Sequence, residues 1–540
     1  MKFKLIWKVV TVAAIATIGL LGASANEIKS EPKTVKLFVR EVPITVLGRT
    51  VKVTTIDQSE GVQGYSPEKS DGFHVELVNQ LPVPTSIHWH GLILPNLMDG
   101  VPYLTQEPLP PGGSYKYDFS LKQSGTYWMH SHYGLQEQQF TSAPMIIRTP
   151  AQSKLADAEF TVMLSDFSFI SPQDIFKSLT ANMSGMHGES DQKAKSMSKP
   201  EDSLIVQQWD STSKRLVSRQ IKGPAPDIDV KYDALLANRR TLDDPDVFAV
   251  KPAQTVLLRL IAASAATNFF IDTGNLDATI IAADGENVKP LKGNFFQLAV
   301  AQRLDLLVTI PATGGMFPIL ALGEGSTLQT GFLLATPGTE MPKPALGIRG
   351  QRMMGGLDNT QEVRLEAEDP LPDKPVQRSL PSLLGGNMMS YAWTINGARY
   401  PNRNSLNVKE GERVELVNRN ETGMAHPMHL HGHVFEVTEI DGQKISGAKR
   451  DTILVPPKST IKIVFEADNP GVWAYHCHIL YHLAAGMFTV LKYEGADTES
   501  WQPDKTKAEL ENPLELGSAG TIWREMTDVV FATEDPAMCN

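Results

Sequence analysis

Ten of the thirteen histidines in this 540-residue chain fall in four short stretches, and their spacing has a direct chemical meaning. The stretches are His88-Trp89-His90, His130-Ser131-His132, His426-x-x-His429-x-His431 and His476-Cys477-His478-x-x-x-His482-x-x-x-x-Met487. Imidazole is a common ligand of transition metals, and a thiolate with two imidazoles and a distant thioether is typical of an electron-transfer copper. The clustering therefore predicts several copper ions held between two distant parts of one chain.

Each of the four stretches contains one His-x-His pair. Side chains alternate across a β-strand, so each pair presents both imidazoles to the same face. The pairs 88/90, 130/132, 429/431 and 476/478 together supply eight ligands. If the terminal domains pack face to face, eight imidazoles suit three copper ions, two with three histidines and one with two, leaving positions open for oxygen. A single pair is more often two partly exposed strand histidines, but four repeated pairs around a cysteine favour metal binding.

Cys477 lies between His476 and His478 and therefore points to the opposite face of the strand. Its expected partners are His426 and His482, with Met487 as the weak axial ligand of a blue-copper centre. The backbone of residues 476–478 would then connect this centre to the eight-histidine cluster. That connection predicts electron transfer from the blue copper to the cluster.

The elements that position these residues are predicted from internal repeats. Val-Glu-Leu-Val-Asn at 75–79 recurs unchanged at 414–418, and a third copy without ligands runs through 256–261 and 302–308. Alternating and β-branched runs between Pro and Gly turns predict an all-β chain of three Greek-key barrels or sandwiches. The predicted boundaries are 26–150 for the first domain, 151–335 for the second with a mobile insertion at 176–222, 336–384 for a linker, and 385–540 for the third domain with its C-terminal tail.

The N-terminus and the composition constrain the partners. Residues 1–25 have a basic start, an apolar run and an Ala-Ser-Ala end, which predicts a signal peptide and a periplasmic or secreted protein. The net charge is −11, or −14 without those residues and their three lysines, which argues against nucleic acid and anionic membranes as partners. With Cys477 in the metal motif, Cys539 is expected to be a loose thiol and no disulfide is expected.

The motifs resemble those of the multicopper oxidases, the family of laccases, ascorbate oxidases, ferroxidases and cuprous oxidases. Residues 125–138 are similar to the bacterial, periplasmic branch, which includes copper-resistance and manganese-oxidation relatives. The resemblance implies three cupredoxin-like Greek-key domains and four copper ions, one of type 1, one of type 2 and two of type 3. It implies the following ligands: His88 and His429 for type 2; His90, His130, His132, His431, His476 and His478 for type 3; His426, Cys477, His482 and Met487 for type 1.

Proton supply and redox potential follow from three further positions. Asp99 matches a family acid near the trinuclear cluster and is expected to relay protons, although Asp99-Gly100 is also a common turn. Some bacterial relatives carry a second acid directly after the histidine equivalent to His482. Leu483 stands there in this chain, so another group must serve. A coordinating Met487 predicts a low to middle potential.

The electron donor is left open by the sequence. One hypothesis is a laccase-like oxidase of phenols and aromatic amines. The other is an oxidase of Cu(I), Fe(II) or Mn(II), favoured by soft groups at Met183, Met186, His187 and Met197. A non-enzymatic cupredoxin scaffold and a copper nitrite reductase are disfavoured, because all ligands and both N-terminal pairs are present. The expected partners are a reducing small molecule or metal ion and dioxygen, and the chain is expected to be a monomer without a membrane contact after removal of the signal.

Overall fold

The computed structural model describes residues 34–181, 203–339 and 347–496. The first β unit contains β1 (Val35–Val46), β2 (Arg49–Gln58), β3 (Phe73–Asn79), β4 (Ile87–His90), β5 (Ser114–Phe119), β6 (Gly125–Ser131) and β7 (Ser142–Ile147). Two sheets result, ordered β2-β1-β3-β5 and β4-β6-β7. Alternate residues of β3 are buried, as expected for a strand with one face on the core. Short 3-10 turns cover Lys69–Asp71, Asn96–Met98, Gln136–Gln139 and Gln152–Lys154.

The second unit is larger and includes one helix, α1 (Pro172–Thr180), capped by the hydroxyl of Ser171, which accepts from the Asp174 amide. Its strands are β8 (Ala158–Phe167), β9 (Ser203–Asp210), β10 (Arg215–Lys222), β11 (Ala234–Ala237), β12 (Val247–Ala249), β13 (Thr255–Ala262), β14 (Phe269–Asp272), β15 (Ala278–Ala283), β16 (Glu286–Gly293), β17 (Phe295–Leu298), β18 (Arg303–Thr309), β19 (Met316–Gly323), β20 (Gln329–Ala335) and β21 (Met353–Met354). The sheets are ordered β11-β8-β13-β18-β15-β16-β10-β9-β21 and β12-β20-β19-β14-β17.

The third unit carries the remaining strands and a short helix, α2 (Leu480–Ala484). The strands are β22 (Arg378–Asn387), β23 (Ala392–Ile395), β24 (Leu406–Val408), β25 (Arg413–Asn420), β26 (His426–Leu430), β27 (Phe435–Ile440), β28 (Gln443–Lys444), β29 (Lys449–Arg450), β30 (Thr452–Val455), β31 (Thr460–Glu466), β32 (Val472–Cys477) and β33 (Phe488–Tyr493). One sheet is ordered β23-β22-β25-β31-β27-β28, with β29 on β27, and the other β24-β33-β32-β26-β30. A further 3-10 turn covers Glu362–Arg364.

One pairing pattern occurs in all three units. In the first unit β1 runs parallel to β3, which pairs antiparallel with β5. The same relation links β8, β13 and β18 in the second unit and β22, β25 and β31 in the third. The strands that carry the repeated sequences are therefore structural equivalents, and the prediction of an all-β chain built from three repeated units is confirmed.

Two details differ from the sequence prediction. The segment 203–222 was expected to belong to a mobile insertion, but it forms the hairpin β9–β10 inside the large sheet of the second unit. Its first strand contains the short apolar run Leu204-Ile205-Val206, a strand signal that the charged neighbouring sequence concealed. The third unit also begins earlier than residue 385, because β22 starts at Arg378 and pairs with β25 over its full length up to Leu384. The predicted signal peptide, residues 182–202 of the insertion with Met183, Met186, His187 and Met197, and residues 497–540 of the tail with Cys539 lie outside the described residues.

The cores show how the units meet. One continuous cluster of buried apolar residues contains members of both the first and the third unit, from Leu37 to Tyr493, whereas a separate cluster fills the second unit. The cluster also includes residues of the second unit, but the two terminal units touch directly, since Asn469 Nδ2 donates to the Leu94 carbonyl at 3.0 Å and Asn96 Nδ2 to the Val472 carbonyl at 2.8 Å. Among the described helices, none is both long and apolar enough to span a bilayer.

Candidate metal centres

The His-x-His pairs of the two terminal units lie on neighbouring strands. In the first unit β4 and β6 pair so that His88 lies opposite His130. In the third unit β26 and β32 pair so that His429 lies opposite His476. Seven of the eight imidazoles are at most 2% exposed, and His132 is partly exposed. Strand alternation thus turns each pair toward one shared interior, as the sequence predicted.

Close contacts between ring nitrogens divide these eight imidazoles into groups. His88 Nε2 and His429 Nε2 lie 3.5 Å apart and form a group of two. In a second group, His476 Nε2 lies 3.3 Å from His132 Nε2 and 3.0 Å from His431 Nε2.

The third group joins two strands of the first unit to the third unit. His130 Nε2 lies 3.4 Å from His90 Nδ1 and 3.3 Å from His478 Nε2. These shortest contacts give groups of two, three and three, while ligand atoms of His88, His429 and His431 also lie within 4.8 Å of one another. The assignment of each histidine to one copper ion stays a prediction.

Asp99 lies behind two of these imidazoles. Its backbone carbonyl accepts from His88 Nδ1 at 2.8 Å, and its carboxylate Oδ2 accepts from His431 Nδ1 at 2.9 Å. The other carboxylate oxygen lies 3.1 Å from His88 Nδ1. The structure also contains the Asp99-Gly100 turn. Gly100 has φ +82°, and a Cβ there would lie 1.8 Å from the Ile87 carbonyl oxygen. The turn is what brings the buried carboxylate to the cluster.

Asp451 plays a similar part on the opposite side. Its carboxylate Oδ1 lies 3.1 Å from His90 Nε2, and its backbone carbonyl accepts from His429 Nδ1 at 2.8 Å. Thr452 adds its hydroxyl 3.1 Å from the same His429 nitrogen. The outward-facing nitrogens of His90 and His429 are therefore held by two consecutive residues, Asp451 and Thr452.

Glu137 is a third buried carboxylate at the cluster. Its Oε2 lies 3.1 Å from His130 Nδ1 and its Oε1 lies 3.8 Å from His478 Nδ1. Burial raises the pKa of Glu137 well above its usual value, with Asp166 adding to the shift. His476 uses a backbone acceptor, the Cys477 carbonyl, at 2.9 Å from Nδ1.

The protonation of these rings tests whether they suit a metal. Burial, followed by neighbouring imidazoles, lowers the pKa of His90, His429 and His431 well below the ordinary value, so these rings are neutral. A neutral ring has one N–H, and the carbonyl and carboxylate acceptors require it on the outward nitrogen. The inward nitrogens then carry lone pairs that face each other at 3.0–3.5 Å, as between His431 and His476. Only a cation between them makes that arrangement favourable, so the residues fit bound metal.

Cys477 and two histidines form a separate site on the other face of β32. The Sγ atom lies 3.6 Å from Nδ1 of His426 and 3.6 Å from Nδ1 of His482, and those two nitrogens are 3.1 Å apart. Burial raises the pKa of the Cys477 thiol well above its ordinary value. A bound cation reverses that preference, because a coordinating thiol is deprotonated. A soft sulfur with two imidazoles is a donor set suited to copper.

A hydrogen bond and a close imidazole–carboxylate contact lie at the outer face of this site. His426 Nε2 lies 2.8 Å from the Thr422 hydroxyl, and His482 Nε2 lies 3.0 Å from Oδ2 of Asp229 in the second unit. Met487 is buried beside the site, where its carbonyl accepts from the Cys477 amide at 3.1 Å and its own amide donates to the His482 carbonyl at 3.0 Å. The structure thus brings together His426, Cys477 and His482, and it places the backbone of Met487 next to Cys477 and His482.

Sequence reasoning missed three acids that contact the histidines. Glu137 belongs to the quoted stretch 125–138, but nothing in that stretch distinguishes it from the glutamines beside it. Asp451 follows a basic pair, and Asp229 lies in a loop of the unit without ligands. Their contacts span up to 361 sequence positions. A local pattern carries no signal for them.

Two other sequence positions have clear surroundings. His433 Nδ1 donates to the His431 carbonyl at 2.9 Å and its Nε2 lies 2.7 Å from the Tyr493 hydroxyl, so it supports the strand behind a ligand. Leu483, which replaces the second family acid, lines an apolar cavity of about 130 Å³ together with the partly exposed His132.

Cavities border the Cys477 site on the side of the second unit. A cavity of about 230 Å³ is lined in part by Asp229, Glu324 and Met353. A smaller one of about 60 Å³ is also lined by Asp229 and Glu324 and reaches Met424. Burial raises the pKa of Glu324, which accepts hydrogen bonds from Asn268 at 2.6 Å and from the Leu357 amide at 2.7 Å. A donor molecule in these cavities would lie next to the Asp229–His482 contact.

Comparisons with known proteins agree with this geometry. Sequence profiles described as multicopper oxidase match residues 39–152, 202–336 and 373–497. The chain is 35% identical to the multicopper oxidase MmcO of Mycobacterium tuberculosis over 433 residues, covering 78% of this chain and 79% of that protein. It is 27% identical to copper resistance protein A of Escherichia coli, covering 90% and 98%. Among solved structures, Fet3p, a multicopper oxidase that functions in iron import, aligns with a TM-score of 0.69 at 22% identity, covering 88% of this chain and 94% of Fet3p. The three units are therefore cupredoxin-like domains, as predicted.

Proposed function

The chain belongs to the multicopper oxidase family, and we propose that it couples one-electron oxidation of phenolic or aromatic donors to the reduction of dioxygen to water. Four bound copper ions would supply this redox chemistry, one at the Cys477 site and three among the eight histidines. The division of the imidazoles into two, three and three beside the Cys477 site is the observation that carries the proposal.

Each ligand has a proposed role. His426, Cys477, His482 and Met487 hold the type 1 copper. His88 and His429 hold the type 2 copper. The type 3 pair is held by the remaining histidines, which are His90, His130, His132, His431, His476 and His478. Cys477 is covalently joined to both His476 and His478, so its sulfur and the cluster are separated by one residue of backbone on either side.

Asp99 is proposed to move protons at the cluster. Every water formed requires two protons, and this buried carboxylate lies against imidazoles of two groups, His88 and His431. Its Oδ2 is engaged by His431, which leaves Oδ1 as the atom available to hold a proton. A carboxylate in that position also keeps the N–H of His431 outward and its lone pair inward.

Asp229 is proposed to receive the donor. Its carboxylate contacts His482 at 3.0 Å and lines both cavities beside the Cys477 site, so a phenolic hydroxyl could donate its proton to Asp229 as the ring loses an electron. A cavity of about 230 Å³ can hold one aromatic ring.

A metal ion is the alternative donor, favoured by one observation. Asp229 and Glu324 line the same cavities, with Met353 in the larger and Met424 in the smaller. Carboxylates suit Fe(II) and Mn(II), and thioethers suit Cu(I). One relative supports the same alternative, because it is a copper resistance protein.

The decisive experiment begins with fully copper-loaded protein. Copper per chain, oxygen consumption and peroxide release are measured with a phenol, Cu(I), Fe(II) and Mn(II) as donors. Four copper ions and oxygen uptake without peroxide are expected for the oxidase, whereas one copper ion or none would reject it. Glu324→Gln separates the donors: a drop in kcat/KM for a metal ion, with the value for the phenol unchanged, would favour the metal oxidase.

A further inference from the structure

An arginine of the second domain lies against the eight-histidine cluster, although the described part of that domain contains no histidine. Arg303 opens β18 and is fully buried. Its Nη1 donates to Asp451 Oδ1 at 2.8 Å and its Nη2 donates to Asp451 Oδ2. This is a two-pronged ion pair between the second and the third domain, a geometry that fixes both partners.

The Asp451 carboxylate in turn contacts His90 Nε2 at 3.1 Å. His90 differs from its neighbours in orientation, because it faces His130 through Nδ1, whereas His130 and His478 meet through Nε2. An acceptor on Nε2 places the ring proton there and leaves the Nδ1 lone pair directed into the cluster. Thr452 Oγ1 also lies 3.2 Å from His90 Nε2, but this hydroxyl donates to Asp451 Oδ1 at 2.9 Å, so Asp451 is the carboxylate that holds the reversed orientation of His90.

The backbone is adapted to this contact. Gly91, directly after His90, has φ +87°, and a Cβ there would lie 2.4 Å from Asp451 Oδ2 and 2.7 Å from Arg303 Nη2. Glycine is thus required for the ion pair to approach the chain at this point. Arg303 Nε also donates to the Thr126 carbonyl at 3.2 Å, on the strand β6 that carries His130.

Arg303 also belongs to a buried chain of alternating charges. Asp284 Oδ1 accepts from the Arg303 amide at 2.9 Å, and Asp284 Oδ2 lies 3.1 Å from Arg450, which pairs with Glu362. Removing one member of a buried pair leaves an uncompensated charge. Arg303 therefore holds the Asp451 carboxylate beside His90 through both of its oxygens.

We propose that Arg303 is a positioning residue for the trinuclear copper cluster, holding His90 through Asp451 with Nδ1 directed at the metal. This inference rests on the proposed assignment of the eight histidines as copper ligands. It gives the second domain, which lacks ligands of its own, a direct part in shaping the oxygen-reducing site.

Arg259 offers a matched control. It lies on β13, the strand paired with β18, and its side chain is 1% exposed. Its polar partners are Asp305 at 2.6 Å, Glu159 at 2.9 Å and the Thr126 hydroxyl at 2.9 Å. Loss of Arg259 therefore removes a buried cation from the same domain, and this cation also contacts Thr126. Its carboxylate partners, however, are not those that contact His90.

The test compares Arg303→Met with Arg259→Met in the full-length, copper-loaded protein. Both variants should lower the thermal midpoint, since each leaves a buried carboxylate unpaired. Arg303→Met alone should raise the EPR-detectable share of bound copper, because a coupled Cu(II) pair is EPR-silent and a disturbed pair is not. It should also lower kcat about 10- to 100-fold. Arg303→Lys should restore these properties in part, because lysine keeps the charge without the fork. An unchanged EPR share in Arg303→Met, or the same change in both variants, would overturn the proposal.

A second measurement needs no copper. Nitrogen-15 NMR of the copper-free protein reports which ring nitrogen of His90 carries the proton. Protonation at Nε2 is expected in the wild type and in Arg259→Met, with loss of that preference in Arg303→Met; one tautomer in all three would refute the role of Arg303. Failure of the wild type to bind copper would instead reject the proposed function, and the NMR result would still decide whether Arg303 orients His90.

Discussion

The eight-histidine cluster and the Cys477 site share strand β32 but are enclosed in different ways. The cluster takes its imidazoles equally from the first and third domains, and carboxylates of Asp99, Glu137 and Asp451 surround it. The Cys477 site takes its sulfur and both imidazoles from the third domain alone. Its outer contacts are Thr422 and Asp229, and Asp229 lines two cavities.

Under the proposed function, the difference separates two chemical tasks. A cluster built between domains and held by buried acids keeps its ligands fixed while dioxygen takes up electrons and protons. A site next to a cavity lets a donor approach the ligand His482 through Asp229 without reaching the cluster. The covalent sequence from His476 through Cys477 to His478 is the short connection between the two tasks.

The largest effect is expected from cutting that connection. Cys477→Ser removes the thiolate, so the blue colour should disappear and oxygen uptake should fall to the assay background, while the cluster keeps its copper. Absorption spectroscopy, copper analysis and an oxygen electrode measure these properties. Donor oxidation at a rate near that of the wild type would show that electrons enter by another route.

Asp99→Asn should slow the cluster without altering the Cys477 site. An amide keeps the size of the side chain but holds no proton at neutral pH, so kcat should fall about 100-fold. The blue absorption band and the KM for the donor should remain unchanged. Asp118→Asn serves as the control, because Asp118 is exposed and paired with His74 on the surface. Equal kcat in both variants would remove Asp99 from proton transfer.

Asp229→Asn should affect the Cys477 site and leave the eight-histidine cluster unchanged. Loss of the carboxylate next to His482 should lower kcat/KM for phenols about tenfold, since such a contact orients the ligand and accepts the donor proton. The KM for dioxygen should not change. Steady-state kinetics with each substrate varied in turn separates these values, and an effect on the dioxygen KM alone would contradict the proposed donor site.

The smallest effect is expected from pH on the copper-free protein. Burial lowers the pKa of His476 to about 3, below the value of about 6.5 in an unfolded chain. The unfolded state therefore binds more protons between these values, and the free energy of unfolding should fall by about 1.4 kcal/mol per pH unit for this residue as pH drops below about 6.5. Denaturant titrations measure the total slope, to which His90, His429 and His431 contribute in the same direction. Copper-loaded protein is the control and should lose less stability per pH unit until the metal dissociates.

Some of the architecture was predictable because it depends on short-range geometry. Strand alternation places His88 with His90, and His476 with His478, on one face and Cys477 on the other, whatever the rest of the fold does. The repeat at 75–79 and 414–418 marked equivalent strands, β3 and β25. The prediction failed where it was based on amino-acid composition and not on the pattern of apolar residues. The charged and polar residues around 203–222 concealed the hairpin there.

The sequence by itself determined the type and the number of candidate ligands, and the pairing of imidazoles along each strand, because side-chain direction in a strand is a local property. Tertiary structure alone decided which carboxylate stands behind which ring and where the donor cavities lie. Asp451 reaches His90 across 361 positions, and Arg303 reaches Asp451 across 148. Such contacts depend on how three domains pack, and packing is set by the summed burial of many side chains rather than by any short pattern.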